Sequence, residues 1–248
     1  MKHIFKYLFI LGVVFSFASC KKDNYSKPGS FLTGSLMYQG DSIFVERSQV
    51  SYQLYQSGFG QIGPIGASSS SDQNASPSTL TYFAQDGTYS QVLFNGAYKL
   101  IIPNGQGPFI WKQDAFGNPD SLSITLEGDK TVNLEVTPYY MIRNTQISAS
   151  AGIVTATFKA EKIITDPSMA KDIERVSLYI NKTQFVSGGD NIAFTDLPVA
   201  DIANPDNISL TVEVPALATT QSYIFARVGI KIKNVEDMIF SPLQKISL

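Results

Sequence analysis

Short runs that alternate apolar and polar residues, each closed by a turn signal, recur along nearly the whole chain. In 49–56, Val50, Tyr52 and Leu54 fall on one face. The runs 31–38, 122–126 and 131–136 have the same character. Beyond Pro138 it continues in 141–148, 153–160, 176–180, 208–214, 223–233 and 239–246. A period of two lets a strand bury one face, whereas an amphipathic helix needs a period near 3.6. One helical turn is expected at 167–172, with Asp166 as cap and Pro167 at the first helical position. The chain therefore reads as all-β, built from two β-sandwich domains. The expected divisions are a leader over 1–19, a tether over 20–30, a first sandwich over 31–137 and a second over 138–248. Pro138 marks the joint, because proline cannot continue a central strand.

The sharpest local signal lies at Tyr89 to Ile102. Asn95-Gly96 has the chemistry of a two-residue type I′ turn, in which both positions need positive φ. Counting outward predicts a hairpin pairing Leu93 with Tyr98, Gln91 with Leu100 and Tyr89 with Ile102. Asp86-Gly87 predicts a turn just before it. By contrast, 57–78 is rich in glycine and serine and reads as an exposed loop. Gly58, Gly60 and Gly63 match a dinucleotide fingerprint in letter only. Pro64, Gly66 and four serines follow, where the fold needs a helix to open.

The first twenty residues have a different logic. Lys2 and Lys6 precede an apolar run from Tyr7 to Ala18, and Ala18-Ser19 lead into Cys20, the only cysteine. The run is too short to span a bilayer, which takes roughly 20 residues, and fits an export signal. Its small-small-Cys ending resembles the bacterial lipobox, which implies cleavage before Cys20 and acylation of its sulfur. Phe17 stands where a lipobox usually has an aliphatic residue, and a plain secretory signal is the alternative reading.

Removing 1–19 takes away Lys2, Lys6 and the sole histidine, His3. What remains has 17 basic against 21 acidic residues, a balance that argues against nucleic acid as a partner. With no histidine and no thiol besides Cys20, imidazole and thiolate metal sites are excluded, as are Ser-His and Cys-His nucleophile pairs. No cofactor and no metal are expected. Asp114, Asp120, Glu127 and Asp129 cluster in sequence, but nothing in their spacing imposes the separation that a glycosidase pair needs, roughly 5–10 Å.

Trp111, the only tryptophan, lies between the loop-like stretches PNGQG and FGNPD. Two readings are open: an aromatic platform for a sugar ring, or a packing residue. On the first, Phe109 and Phe116 flank it, while Asp114 and Asn118 supply polar contacts. Tyr139 and Tyr140 are expected to pack between the domains.

The pattern Asp86-Gly87-x-Tyr89, Leu93, Gly96-x-Tyr98-x-Leu100, with Thr33-Gly34-Ser35-Leu36 earlier, resembles carboxypeptidase-regulatory-like, or transthyretin-like, sandwiches. Some of those carry a Lys–Asn cross-link from the first strand; 31–38 has no lysine, so none is expected. Tyr223 to Ile230 resembles the penultimate strand of Ig-like and fibronectin-III-like sandwiches, where a tyrosine commonly pins a loop corner. Asp41-Ser42-Ile43 and Asp120-Ser121-Leu122 resemble Bacteroidetes O-glycosylation sites at Ser42 and Ser121. The whole order resembles uncharacterised Bacteroidetes outer-membrane lipoproteins associated with starch-utilisation-type glycan loci. That resemblance implies a non-catalytic accessory role in polysaccharide capture, with weak glycan binding. The protein would be anchored to outer-membrane lipid through Cys20, on the cell surface or the periplasmic face. A TonB-dependent transporter and its surface lipoprotein are the implied protein partners, and a scaffold that docks to them without binding sugar is the alternative.

Acylation at Cys20 makes a direct prediction. One chain binds membranes only marginally, whereas two or three hold firmly. Cys20→Ala should move the protein from the membrane to the soluble fraction on cell fractionation. Continued retention would place the anchor elsewhere.

Overall fold

The structure is a computed structural model that describes residues 27–56, 81–218 and 220–248. The leader with Cys20, and the segment holding Gly58, Gly60 and Gly63, lie outside the described residues. Five longer strands build the first domain: β1 (Ser30–Tyr38), β2 (Ser51–Gln56), β3 (Thr88–Leu93), β4 (Gly96–Ile101) and β5 (Leu122–Leu126). Strand β1 is the hub of one sheet. It pairs antiparallel with β3, from Ser30↔Leu93 to Ser35↔Thr88. It also pairs with Asp41–Ser42, and parallel with the short segments Lys130–Thr131 and Leu134–Glu135. The facing sheet runs Thr81–Tyr82, β2, β4, β5.

The expected hairpin is therefore corrected. Strands β3 and β4 do not pair; they belong to opposite sheets, β3 against β1 and β4 between β2 and β5. Asn95 is not among the residues with positive φ, so the turn is not type I′. Its side-chain oxygen accepts hydrogen bonds from Ser30 Oγ (2.6 Å) and Gly128 N–H (2.9 Å), drawing the connection across the sandwich edge. Tyr98 Oη then donates to the carbonyl of Phe94 at 2.7 Å. Apolar faces on both strands meet across the core instead of lying side by side. Tyr52 on β2 and Tyr89 on β3 have ring centroids 5.2 Å apart, and Phe83 packs against both. Burial pushes the Tyr52 phenol up to about 12, and that of Tyr89 upward as well.

The Asp86-Gly87-x-Tyr89 pattern has a concrete use. Asp86 Oδ1 accepts from the backbone N–H (3.0 Å) and hydroxyl (2.7 Å) of Thr88, closing the turn. Gly87 sits at φ +77°, and a β-carbon there would lie 2.0 Å from the carbonyl oxygen of Ile43. One register step on, Tyr89 pairs with Gly34, covers it with its ring, and donates its hydroxyl to the carbonyl of Val132 at 2.7 Å.

The second domain comprises β6 (Tyr140–Ser150), β7 (Ile153–Lys162), β8 (Ile173–Asn181), β9 (Ala193–Pro198), β10 (Ile208–Glu213), β11 (Tyr223–Ile232) and β12 (Gln244–Ser247). They form a β6-β7-β10 sheet facing a β9-β8-β11-β12 sheet, the three-over-four layout of Ig-like and fibronectin-III-like sandwiches. Ile173, Val176, Leu178, Ile180, Ile224, Val228, Ile230 and Ile232 fill the space between them. Residues 167–169 form a single turn, shorter than the expected 167–172, with Asp166 as its cap: Asp166 accepts from Ser168 N–H (2.9 Å) with its carboxylate, and from Ala170 N–H (2.7 Å) with its carbonyl. Tyr223 packs edge-on against Phe225, with Lys245 Nζ 3.8 Å from its ring centroid.

The two domains are joined by backbone. Phe240 N–H donates to Phe44 O at 3.0 Å, a β-bridge across the seam, and Tyr139 N–H donates to Pro108 O at 3.1 Å. Asp237 Oδ2 accepts from Gly107 N–H at 2.8 Å. Arg143 of β6 binds Asp41 of the first domain and Glu161 of β7. Arg227 of β11, only 1% exposed, donates its Nε–H to Val186 O and its Nη1–H to Val45 O (3.1 Å), with the Phe240 ring beneath it. Burial pulls its pKa down to about 10, so it remains charged at neutral pH.

Gly34 supplies the test of this packing. A β-carbon there would sit 1.9 Å from the Val132 carbonyl oxygen and 2.8 Å from the Tyr89 ring. Gly34→Ala should cost about 2–3 kcal/mol by urea denaturation, the scale of overpacking a filled core. A loss below about 0.5 kcal/mol, that of an ordinary surface change, would show that β1 does not need this close approach.

Candidate functional site

Residues 103–120 were the stretch in which the sequence placed its ligand contacts, and they form an ordered double loop. Phe109–Ile110 pairs with Thr137–Pro138, which fixes the loop base to the domain joint. Trp111 follows, and its environment settles the choice between platform and packing. It is 5% exposed, and its indole N–H donates to the carbonyl of Asp120 at 2.7 Å. Phe109 is also 5% exposed. The platform reading of Trp111 and the flanking role of Phe109 are corrected accordingly: both rings fill the core beneath the loop, and their faces are not available to a sugar.

Phe116 is the reverse case. It is 90% exposed, the most exposed of the large apolar side chains described. The backbone beneath it is nonetheless held by several bonds. Asp114 Oδ1 accepts from Phe116 N–H (2.8 Å) and Asn118 N–H (2.9 Å), while Asn118 Nδ2 donates to Asp114 Oδ2 at 3.2 Å. Asp114 N–H donates to Asn118 O, Gly117 N–H donates to Asp114 O, and Gly117 takes φ +81°. Asn104 Nδ2 reaches across to the Gly117 carbonyl at 3.1 Å, and Gln113 Nε2 donates to Asn104 Oδ1 at 3.2 Å. Lys112 Nζ closes the base on Asp120 and on the carbonyl of Ser121.

Asp114, Phe116 and Asn118 thus come together at one tip, while Trp111 and Phe109 support it from below. Asp114 and Asn118 act first as the turn's own scaffold; the amide oxygens of Asn118 and Gln113 face no partner in these bonds and can accept from hydroxyl groups. Asp120 is tied to Lys112, and Asp129 accepts from Phe31 N–H at 2.8 Å, so both are engaged in holding loops. Ser42 and Ser121 are each half-buried, the first with its hydroxyl against Met37 Sδ (3.8 Å). Among the described residues, no cluster of three or more His, Cys, Asp or Glu could hold a metal ion, and no helix is long and apolar enough to cross a membrane.

Another hollow, about 450 Å³, opens on the second domain beside Tyr140, Lys162, Asp172 and Val199. Two of its polar side chains are engaged, Lys162 with Asp172 at 3.2 Å and Tyr140 Oη with the carbonyl of Lys171 at 3.0 Å, and Lys233 also lines it.

Comparison with known proteins agrees with this architecture. Residues 30–137 match the family model described as "Protein of unknown function (DUF3823) N-terminal domain", and 140–245 match "Domain of unknown function (DUF3823_C)". A DUF3823 structure from Parabacteroides merdae is 30% identical, covers 90% of this chain and all of its own, and superposes with a TM-score of 0.72. One from Bacteroides ovatus is 26% identical, covers 88% of this chain and 99% of its own, with a TM-score of 0.71. A Bacteroides uniformis structure, provisionally described as a carbohydrate binding protein, shares the fold at 14% identity, covering 90% of this chain and all of its own, with a TM-score of 0.64. No curated protein matches the chain.

The backbone bonds to Asp114 hold its carboxyl below the ordinary carboxylate range, those from Asn118 and Phe116 in the lead. The sign follows from linkage. A depressed folded-state pKa means that the loop's ordering by this group is present above the unfolded value near 4 and is lost as pH falls through the folded value. The protection of the Phe116 and Asn118 amides, taken relative to their intrinsic exchange rates at each pH, should therefore fall in acid, and in Asp114→Asn it should be low at every pH. Unchanged protection in that variant would show that the backbone alone holds the tip.

Proposed function

Because the chain belongs to the DUF3823 family, we propose that it is a non-catalytic accessory component of a polysaccharide capture system at the cell envelope, binding glycan weakly through the 112–120 loop. The observation that carries this reading is Phe116, an aromatic ring left 90% exposed at the tip of a loop held by several hydrogen bonds. Burying a phenylalanine would contribute roughly 1.5–3 kcal/mol, so a fold that leaves this ring in water forgoes that gain. An aromatic face stacks on the C–H face of a sugar ring, while a few polar groups set orientation. Asn118 and Gln113 stand beside it for that second task. The provisional description of the Bacteroides uniformis relative supports the same ligand class. Attachment through an acylated Cys20 would place this surface near the outer membrane, beside a TonB-dependent transporter and its surface lipoprotein.

A shallow site of this kind excludes little water, and dissociation constants of about 10 µM to 1 mM are expected, roughly −4 to −7 kcal/mol. Affinity electrophoresis against plant, host and microbial glycans would test it. Phe116→Ala should abolish retardation by neutral glycans with the melting temperature unchanged. Trp111→Ala should instead lower stability by about 3–5 kcal/mol, as a truncated core aromatic does. If the wild-type protein is retarded by no glycan, the loop is a protein-docking contact and the scaffold role replaces the glycan one.

A further inference from the structure

The seam between the sandwiches contains a positive charge with no carboxylate in contact. Nη2 of Arg227 is buried and has no hydrogen-bond partner among the described residues. Its other two donors go to neutral carbonyls, those of Val186 and Val45. Glu46 and Asp190 act on it only through space, and Asp190 lies 3.7 Å from a second arginine, Arg47. Beside this guanidinium opens a cavity of about 360 Å³, lined by Phe44, Arg47, Gln85, Gln184, Phe185 and Arg227 among others. Arg47 stacks over the Phe185 ring at 4.5 Å and is half-exposed. The acid in the wall, Asp86, is engaged with Thr88. Gln85 donates its amide to Gln184 O at 2.7 Å, which leaves its side-chain oxygen to accept.

We propose that this interdomain cavity binds the carboxylate of an acidic sugar, a uronic acid residue of a glycan. Arg47 at the rim makes the direct contact, and Arg227 supplies the positive field behind it. A guanidinium is suited to a planar carboxylate, and the low dielectric of the seam strengthens that attraction. Phe44 and Phe185 provide apolar faces, and the volume, at the small end of ligand cavities, suits one or two sugar rings. A peptide strand would need a free sheet edge here, and Phe44 and Phe240 already pair with each other. The cavity is separate from the Phe116 tip and shares with that reading only the class of ligand.

The test is calorimetric titration of the chain from residue 21, which contains every described strand, with glucuronate and galacturonate oligosaccharides and their neutral hexose counterparts. Uronates should bind at least about tenfold tighter than the neutral sugars, and weaken as salt rises from about 50 to 500 mM. Arg47→Gln should remove most of that preference with the melting temperature unchanged, and Phe116→Ala should leave it intact. Arg227→Met, of similar length, should abolish uronate binding if it folds; the Arg47 variant decides the matter if it does not. Equal affinity for acidic and neutral sugars, an Arg47→Gln protein that binds uronate as wild type does, or an acidic peptide binding as tightly as the uronate would each overturn the assignment. Neutral glycan binding through Phe116 without any uronate binding would overturn this inference alone and leave the loop reading standing.

Discussion

The relative placement of the two sandwiches rests on a buried guanidinium that bonds to backbone on both sides of the seam. Arg227 reaches Val186 O within its own domain and, 182 residues away in sequence, Val45 O in the other. Beside it, Phe44 and Phe240 share a β-bridge, and Tyr179, Val186, Met238 and Phe240 close a small apolar cluster. Burying an unpaired charge costs several kcal/mol, and removing it would leave two buried carbonyls unsatisfied at about 1–3 kcal/mol each. These two effects oppose one another. Backbone bonds of this kind also make the orientation insensitive to which side chains line the rest of the seam, because the acceptors are main-chain atoms present in any sequence.

That rigid seam matters for both proposed contacts. The 103–120 loops are fixed to the joint through Phe109–Ile110 and to the second domain through Gly107 and Asp237. The tip carrying Phe116 is consequently positioned relative to both domains. Aromatic residues are divided by shape and place: the indole, with one N–H to satisfy, is buried where Asp120 offers a carbonyl, and the phenyl ring, with no such need, is left in water.

Much of the fold was legible in the residues. Alternation located nearly every long strand, because a half-buried strand must alternate whatever it pairs with. Asp86-Gly87-x-Tyr89 was legible because its chemistry is local. The partner of a strand was not. Alternation looks the same whether β3 and β4 lie side by side or face one another across the core, and Asn95 decides between them through Ser30 and Gly128, 65 and 33 residues away. Strand β9 went unnoticed because it is an edge with Phe194 outward and Asp196 within it, a weak pattern. At the site, the loop and three residues of its tip, Asp114, Phe116 and Asn118, were visible, but the roles of tryptophan and phenylalanine were exchanged. Asp114 and Gly117 at turn spacing were the available signal that Phe116 sits on a tip. The seam cavity had no sequence signature at all, since Arg47, Phe185 and Arg227 meet only through tertiary packing.

Strand β1 has a mechanical consequence. It is the first described strand after the N-terminal segment, and it is gripped along its length by β3 on one flank and by the parallel segments 130–131 and 134–135 on the other. A pull entering at Ser30 runs along the strand axis, at right angles to its ladder of hydrogen bonds. The bonds then share the load and must break together instead of opening one after another from an end. A chain held by its N terminus while its far domain grips something heavy would yield last at the strand nearest the tether.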